Sequence, residues 1–290
     1  MKILAIGDFQ GEIPTKLKKK IDKEDFDLVV GVGDYTGIKE FYPFIMNHFK
    51  LLQKGKEPIS ATDFFGKRKL KALEKKDFEA GKKVLSYLNS LGKPVLAIFG
   101  NTDDGWYRYT GRYSLYYEKK KGNYAKKMEN ISFMTYSKKK YADTNFIGFG
   151  GYMDIEAYFK EKTFKIKNDR GRIRKRLANH KKMSGKFYRL IRSASEGKKV
   201  FVLHYPPYGV FDIIRNKKNP MDGKSSGIKF FSDGIKKYKP ALVFCGHMAE
   251  YQGMKKLYGV PVVNPGAAHH GKAAIVEFDN GKIKGVRFIR

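Results

Sequence analysis

The segment Asp27-Leu28-Val29-Val30-Gly31-Val32-Gly33-Asp34 combines a run of apolar residues with a glycine–aspartate end. Residues 1–8 and residues 94–101 repeat this design and end in Gly7-Asp8 and Gly100-Asn101. Short apolar runs bounded by turn residues predict buried strands, and a glycine beside a polar residue allows a sharp turn. We therefore expect three buried strands, each followed by a polar side chain at its carboxyl end.

Lysine-rich segments with helical periodicity separate these strands, at residues 13–23 and about 64–91. Alternation of strand and helix predicts parallel strands with right-handed crossovers. Ligand sites in such sheets lie beyond the carboxyl ends of the strands, where the polar residues fall. Two later predicted strands, residues 199–204 and 241–247, end in histidine. Asp279-Asn280-Gly281 predicts a tight hairpin near the end of the chain.

Composition narrows the class of protein. The 290 residues are enough for one large domain, and no apolar run approaches the ~20 residues that a membrane-spanning helix needs. The first eight residues indicate a buried strand and not a secretory signal. The single Cys245 excludes an internal disulfide bond. These features together predict a cytoplasmic protein.

The net charge of +31 is unusual, since 60 Lys and Arg face 29 Asp and Glu. A strong positive field attracts polyanions and speeds their capture. Nucleic acid, nucleotides and anionic lipid headgroups are all consistent with this charge. A lysine-rich proteome, in which most lysines promote solubility, explains the charge equally well.

Five polar clusters follow the predicted strands in order along the chain. They are Gly7-Asp8-Phe9-Gln10, Gly33-Asp34, Gly100-Asn101-Thr102-Asp103, His204 and Gly246-His247-Met248-Ala249. This succession resembles the calcineurin-like metallophosphoesterases, whose five blocks supply the ligands of two adjacent metal ions. The resemblance covers roughly residues 1–103 and 200–276. It implies an α/β fold of two stacked mixed β-sheets flanked by helices, a four-layer α/β/β/α sandwich, in a single domain spanning residues 1–290.

The resemblance also implies which residues ligate each metal. The second site has its full set: Asp34, Asn101, His204 and His247. The first site keeps Asp8 and the bridging Asp34, but Gln10 and Ala249 stand where the family has histidine. Gln10 could ligate through its amide oxygen, whereas Ala249 has no ligand atom. We expect one or two ions for each chain, with the first site rebuilt or lost.

Carboxylate, amide and imidazole ligands favour a divalent transition metal such as Mn, Fe, Zn, Co or Ni. The implied function is a metal-dependent phosphoesterase, with diesters as the preferred substrates, in which a metal-activated water attacks phosphorus. We predict Asp8, Asn101 and His204 as catalytic residues. Thr102 occupies a position where many family members have a histidine that protonates the leaving group. The general acid is therefore unassigned.

A second interpretation is a binding protein. In that case the phosphoesterase fold no longer turns over, and its basic surface holds nucleic acid or another polyanion. The missing imidazoles favour binding, whereas the complete second site favours catalysis. Salt-sensitive affinity for nucleic acid that does not depend on the metal ligands would distinguish the two, because phosphate contacts weaken steeply with salt.

A basic segment lies within residues 104–195, which we interpret as an insertion containing a helix. Residues 167–192 hold eleven Lys or Arg and one acid, Asp169. We predict an amphipathic helix over residues 171–194, with an apolar face formed by Ile173, Leu177, Phe187 and Ile191. Arginine pairs bidentately with phosphate, so three arginines are candidate substrate-binding residues: Arg172, Arg174 and Arg176. An ordinary solvated helix face would show the same pattern.

Three other residues could approach the predicted site. Glu250 directly follows Ala249, and we expect its side chain to point away from the metals. His269 and His270 follow Asn264-Pro265-Gly266, and we interpret them as surface histidines in a turn.

Overall fold

A computed structural model describes residues 1–103, 128–159 and 170–290, with the backbone alone at Arg170. One mixed sheet has the strand order β12-β11-β1-β2-β3-β4. Its strands are β1 (Lys2–Ile6), β2 (Leu28–Gly31), β3 (Val95–Ala97), β4 (Ile131–Phe133), β11 (Ala273–Asp279) and β12 (Lys282–Ile289). Strands β1 to β4 are parallel, while β11 is antiparallel to both β1 and β12.

The second mixed sheet has the strand order β5-β6-β7-β8-β10-β9. Its strands are β5 (Ser137–Tyr141), β6 (Thr144–Phe149), β7 (Lys198–Leu203), β8 (Leu242–Phe244), β9 (Gly253–Leu257) and β10 (Val260–Asn264). Strands β6, β7, β8 and β10 are parallel, and the two edge strands are antiparallel to their neighbours.

The helices form the two outer layers. They are α1 (Thr15–Ile21), α2 (Tyr42–Gln53), α3 (Ala61–Phe65), α4 (Lys67–Ser90), α5 (Arg170–Ser193) and α6 (Lys229–Tyr238). Helices α1 and α4 bury Leu17 and Leu88 against the first sheet. Helices α5 and α6 bury Phe187 and Phe231 against the second. A third core, which includes Phe146, lies between the sheets. The predicted four-layer α/β/β/α sandwich is therefore confirmed.

Most elements predicted from the sequence are present. The hairpin turn joins β11 to β12 with positive φ at Asn280 (49°) and Gly281 (75°), as a type I′ turn requires. The helix predicted over residues 64–91 is divided in two, because Gly66 adopts φ 75° between α3 and α4. The apolar face predicted for α5 is wrong at Leu177, which is 49% exposed. Only the carboxyl-terminal half of α5, with Phe187 and Ile191, packs in the core.

The chain between the third and fourth polar clusters contributes to both sheets, whereas the basic segment itself forms α5. Within residues 128–195, β4 extends the first sheet and β5 and β6 pair into the second. The described residues do not include residues 106–113, where aromatic residues are interleaved with arginine, and they do not include Lys167. The domain boundaries and the insertion at about 104–195 stay predictions. Among the described helices, none is long and apolar enough to span a bilayer.

Candidate active site

The five polar clusters meet at one edge of the sandwich. Asp8, Asp34 and Asn101 follow the parallel strands β1, β2 and β3, while His204 and His247 follow β7 and β8. Hydrogen bonds donated by backbone amides join the clusters both between the two sheets and within the second sheet. The His247 amide donates to Asp8 Oδ1 over 2.9 Å, and the Gly246 amide donates to the His204 carbonyl over 2.9 Å. Parallel strand order therefore brings distant sequence positions to a single site.

Four donor groups converge at the centre of this edge, and we call them the metal floor: Asp34, Asn101, His204 and His247. Ligand atoms of Asp34 and the two histidines lie within 4.8 Å of one another. Asn101 Oδ1 lies 2.8 Å from His204 Nε2 and 2.8 Å from His247 Nδ1. Asp34 Oδ1 lies 3.5 Å from His204 Nε2. One carboxylate, one amide and two imidazoles form a donor set that suits a divalent transition metal.

The His204 ring is oriented for metal binding. It is fully buried, and Nδ1 lies 2.8 Å from the Val32 carbonyl oxygen. Because a carbonyl only accepts, Nδ1 carries the proton, and in the neutral ring Nε2 presents a lone pair toward Asn101 Oδ1, which is another acceptor. A cation between these atoms would satisfy both. A ligand histidine that donates its other N–H to a backbone carbonyl is typical of metal sites.

Asp34 is held by its neighbours. Its Oδ1 accepts hydrogen bonds from the Thr102 amide (2.9 Å) and the Thr102 hydroxyl (2.8 Å). Buried Asp103 accepts from the amides of Asp34, Thr36 and Gly100 and so joins the loops after β2 and β3. Burial and the charge of Asp34 raise the pKa of Asp103.

The chain passes through the site with little free space. A Cβ at Gly100 would collide with the Asp34 carboxylate, the Asp34 amide and the His204 ring. Positive φ angles occur at Asp8 (53°), Gln10 (48°), Asp34 (57°) and His247 (68°). Such angles are strained for residues other than glycine, and they persist where the surrounding structure over-determines them. Four of the six predicted metal ligands thus have positive φ angles.

Asp8 lies beside the metal floor and is buried. Its Oδ1 accepts from the His247 amide, while its Oδ2 is buried without a hydrogen-bond partner in the described chain. Burial, followed by the charge of Asp34, raises the pKa of Asp8 well above its ordinary value. Burial and neighbouring His204 lower the pKa of His247, which favours the neutral, ligating imidazole. An unpartnered buried carboxylate oxygen beside a second carboxylate fits a site that a cation completes.

Gln10 and Ala249 are the two positions that lack histidine. Gln10 lines the pocket described below, and Ala249 offers no ligand atom. The prediction that His269 is a surface residue is wrong. His269 is half-buried, and its Nδ1 lies 2.7 Å from the Asp8 carbonyl oxygen. His270 is exposed, as expected.

A pocket of about 240 Å³ opens over the metal floor. One side is formed by four residues of α2, which we call the apolar wall: Tyr42, Ile45, Met46 and Phe49. Tyr158 and Tyr205 lie on another side, and Asn216 and Asn219 belong to the same lining. Glu250, expected to point away, also lines the pocket, and its Oε1 accepts from the Arg215 amide over 3.0 Å.

The three candidate arginines of α5 are not among the described residues that line the pocket. Arg172 pairs with Glu57 over 2.8 Å. Arg176 lies 3.8 Å from Asp154 and stacks on Tyr158, with 4.8 Å between guanidinium carbon and ring centroid. Arg174 is exposed. Arg176 therefore approaches the pocket only from behind Tyr158.

Sequence reasoning missed the apolar wall. Residues 41–52 are Phe-Tyr-Pro-Phe-Ile-Met-Asn-His-Phe-Lys-Leu-Leu, which places apolar residues on more than one face of a helix. A surface helix needs only one apolar face to pack on the core. The excess apolar character was the signal that could have identified this helix as part of a site.

Comparison with known proteins agrees with this geometry. A family model described as metallophosphoesterase, calcineurin superfamily, matches residues 1–288. The chain therefore belongs to the calcineurin superfamily of metallophosphoesterases, which hydrolyse phosphoesters with divalent metals. Comparison with curated proteins finds no match.

Solved structures show the same fold. One that is 21% identical aligns over 100% of this chain and 99% of its own, with a TM-score of 0.65. TT1561 of Thermus thermophilus is 16% identical, with 100% and 99% covered and a TM-score of 0.53. Phosphopantetheinyl hydrolase (PptH) from Mycobacterium tuberculosis is 11% identical, with 93% and 90% covered and a TM-score of 0.52.

Proposed function

We propose that this protein is a metal-dependent phosphodiesterase whose metal floor holds one ion through Asp34, Asn101, His204 and His247. The observation that supports this most directly is the convergence of these donors, with Asn101 Oδ1 2.8 Å from a nitrogen of each imidazole. Mn, Fe, Zn, Co and Ni all suit this set. When bound, the ion supplies a Lewis acid that neutralises charge at phosphorus and lowers the pKa of water.

The chain itself positions the other groups. Thr102 orients the Asp34 carboxylate through two hydrogen bonds, and Val32 orients the His204 ring. Asp8 Oδ2 is the free acceptor beside the floor. We assign it to ligating a second ion together with Gln10 or, when one ion is present, to orienting the attacking water. Asn101 and His204 complete the predicted catalytic set.

The charge of the pocket favours a diester. Among the described lining residues there is no Lys or Arg, although Asp34 and Glu250 are present. A phosphomonoester carries about two negative charges near neutral pH because its second pKa is about 6. A diester carries one. Because the described lining offers no Lys or Arg to assist the metal, the pocket is better suited to the single negative charge of a diester than to the two charges of a monoester.

The test is hydrolysis of bis(p-nitrophenyl) phosphate with added Mn²⁺, for wild type, His204→Ala and His270→Ala. We expect His204→Ala to lower kcat/KM by about 10²–10³-fold, because it removes a proposed metal ligand and so weakens charge stabilisation at the reacting phosphate. His270 is exposed and outside the metal floor, so His270→Ala controls for loss of a histidine. Equal activity in wild type and His204→Ala would contradict the proposal.

A second candidate is polyanion binding at the surface of α5. Its exposed residues include Arg174, Lys175, Lys181, Lys182 and Arg189. These residues form a basic surface that a nucleic acid or nucleotide substrate could contact. Arg174 is the one predicted arginine among them, since Arg172 and Arg176 pair with Glu57 and Asp154. The test is affinity for single-stranded RNA at increasing salt, for wild type and Arg174→Ala/Lys175→Ala. A steep salt dependence that weakens in the variant would support binding; affinity that does not change with salt would exclude it. A cytoplasmic location stays part of this proposal.

A further inference from the structure

The four residues of the apolar wall occupy positions i, i+3, i+4 and i+7 of α2, so they share one face of that helix. The opposite side of α2 packs in the protein interior, where Phe44 contacts Phe64 and Phe65 with ring centroids 5.6 and 5.9 Å apart. The helix therefore has two apolar faces. One is used for folding, and the other faces the pocket.

The apolar wall is held in place over the metal floor. Leu52, at the carboxyl-terminal end of α2, is buried in the core of the second sheet. Gln53 donates a side-chain hydrogen bond to the Pro220 carbonyl, which joins α2 to the loop that carries Asn216 and Asn219. Phe49 stacks on Tyr158, with centroids 6.1 Å apart and planes at 25°. The wall is thus a fixed surface and continuous with the ligands below it.

The core uses the apolar wall only in part, because Phe49 and Ile45 also pack against neighbouring core clusters. Tyr42 is 47% exposed, and Ile45, Met46 and Phe49 are only partly buried. When a ligand covers exposed apolar groups that line a cavity, their removal from water favours binding. Two neutral amide side chains also line the pocket. Asn216 and Asn219 use their carbonyl oxygens to accept from the Lys218 and Met221 amides, which leaves their NH₂ groups as donors.

From this geometry we infer that the phosphoester substrate carries an apolar, ring-sized ester group that packs against Tyr42, Ile45, Met46 and Phe49 while its phosphate lies on the metal floor. This inference rests on the proposed function. It names the substrate class as an aryl-like ester, in contrast to a sugar phosphate or a polyphosphate. Hydrophobic contact with the wall selects this substrate, and the metal supplies the charge complement.

Two esters with the same leaving group test the inference: p-nitrophenyl phenyl phosphate and p-nitrophenyl methyl phosphate, each with Mn²⁺. We expect kcat/KM for the phenyl ester to exceed that for the methyl ester by about 10- to 100-fold after correction for their uncatalysed rates, which corresponds to about 1.4–2.8 kcal/mol. Phe49→Ala should lower this ratio toward one. Tyr42→Ala should lower it less, and because Tyr42 is half-exposed this variant is expected to fold.

Leu51→Ala is the matched control, since Leu51 is a half-buried residue of α2 that does not line the pocket. Its ratio should equal that of wild type. Equal kcat/KM for both esters, or a ratio unchanged in both Phe49→Ala and Tyr42→Ala, would overturn the inference while leaving the proposed function intact.

If neither ester is hydrolysed, the proposed function fails, and binding decides the inference. Phenylphosphonate and methylphosphonate are then compared by calorimetry on the Mn²⁺-treated protein. Tighter binding of the phenyl compound that is lost in Phe49→Ala supports the inference, and equal affinity overturns it.

Discussion

The metal floor and the apolar wall line the same pocket but are built in opposite ways. The floor consists of polar residues at the ends of four strands from two sheets. They are buried or partly buried and held by hydrogen bonds, and Asp34 and His247 have positive φ angles. The wall comes from one helix, α2, and consists of partly exposed apolar residues held by packing. Under our two proposals this difference separates two tasks: the floor binds metal and phosphate, and the wall contacts the rest of the substrate.

The largest effect is expected in the floor, for Asn101→Ala. This change removes an oxygen that lies 2.8 Å from both imidazoles. We expect kcat/KM with Mn²⁺ to fall by about 10²–10³-fold. Asn47→Ala, in α2 but outside the pocket lining, is the matched amide control. Wild-type activity in Asn101→Ala would show that the floor is not the metal site.

The close approach of chain segments in the floor predicts the next effect. We expect Gly100→Ala to lower the free energy of unfolding by about 1–3 kcal/mol, because the new methyl group meets the Asp34 backbone and the His204 ring. Gly185→Ala, in α5, where the nearest neighbour is the flexible Arg189 side chain at 3.6 Å, should instead raise it by about 0.5–1 kcal/mol. Urea denaturation measures both. A stabilising Gly100→Ala would mean that the floor is loosely packed.

A smaller change concerns the support of Asp34. Thr102→Val removes the hydroxyl that donates to Asp34 Oδ1 but keeps the amide donor and the size of the side chain. We expect affinity for Mn²⁺ to fall about tenfold, as for other residues that orient a metal ligand. Thr102→Ser keeps the donor and should keep the affinity. If calorimetry finds the two variants alike, orientation by the hydroxyl is not important.

The smallest effect on stability is expected at His48, a residue of α2 that does not line the pocket. Burial, then the charges of Arg176 and Arg172, lower the pKa of His48 below its ordinary 6.5. Between the folded pKa and 6.5 the unfolded chain binds more protons, so stability decreases as pH falls through this window. His48→Gln removes this contribution. Thermal unfolding at pH 7.5 and 5 should therefore show a smaller loss for the variant, and an equal loss would indicate that His48 is solvated.

The sequence predicted the floor but not the wall, because the floor residues follow strands whereas the wall residues belong to one helix. Each floor residue follows an apolar run, and a glycine also precedes Asp34, Asn101 and His247. Such local patterns need no knowledge of the fold. The ligand assignment itself came from the order of the five clusters. The wall had no comparable motif. Whether Met46 faces the core or a cavity depends on how α2 is placed, and the misassigned Leu177 and His269 show the same limit.

By itself the sequence determined the main strands and the absence of imidazole at Gln10 and Ala249, because these depend on residue type and on short-range spacing. The layer order and the candidate ligands of the floor came from the resemblance to the calcineurin-like family. Only the tertiary structure decided that Asn101 Oδ1 lies between two imidazoles, that Asp8 Oδ2 has no partner among the described residues, and that the pocket has an apolar side. These features arise where segments far apart in the chain meet, and packing between layers determines how they meet.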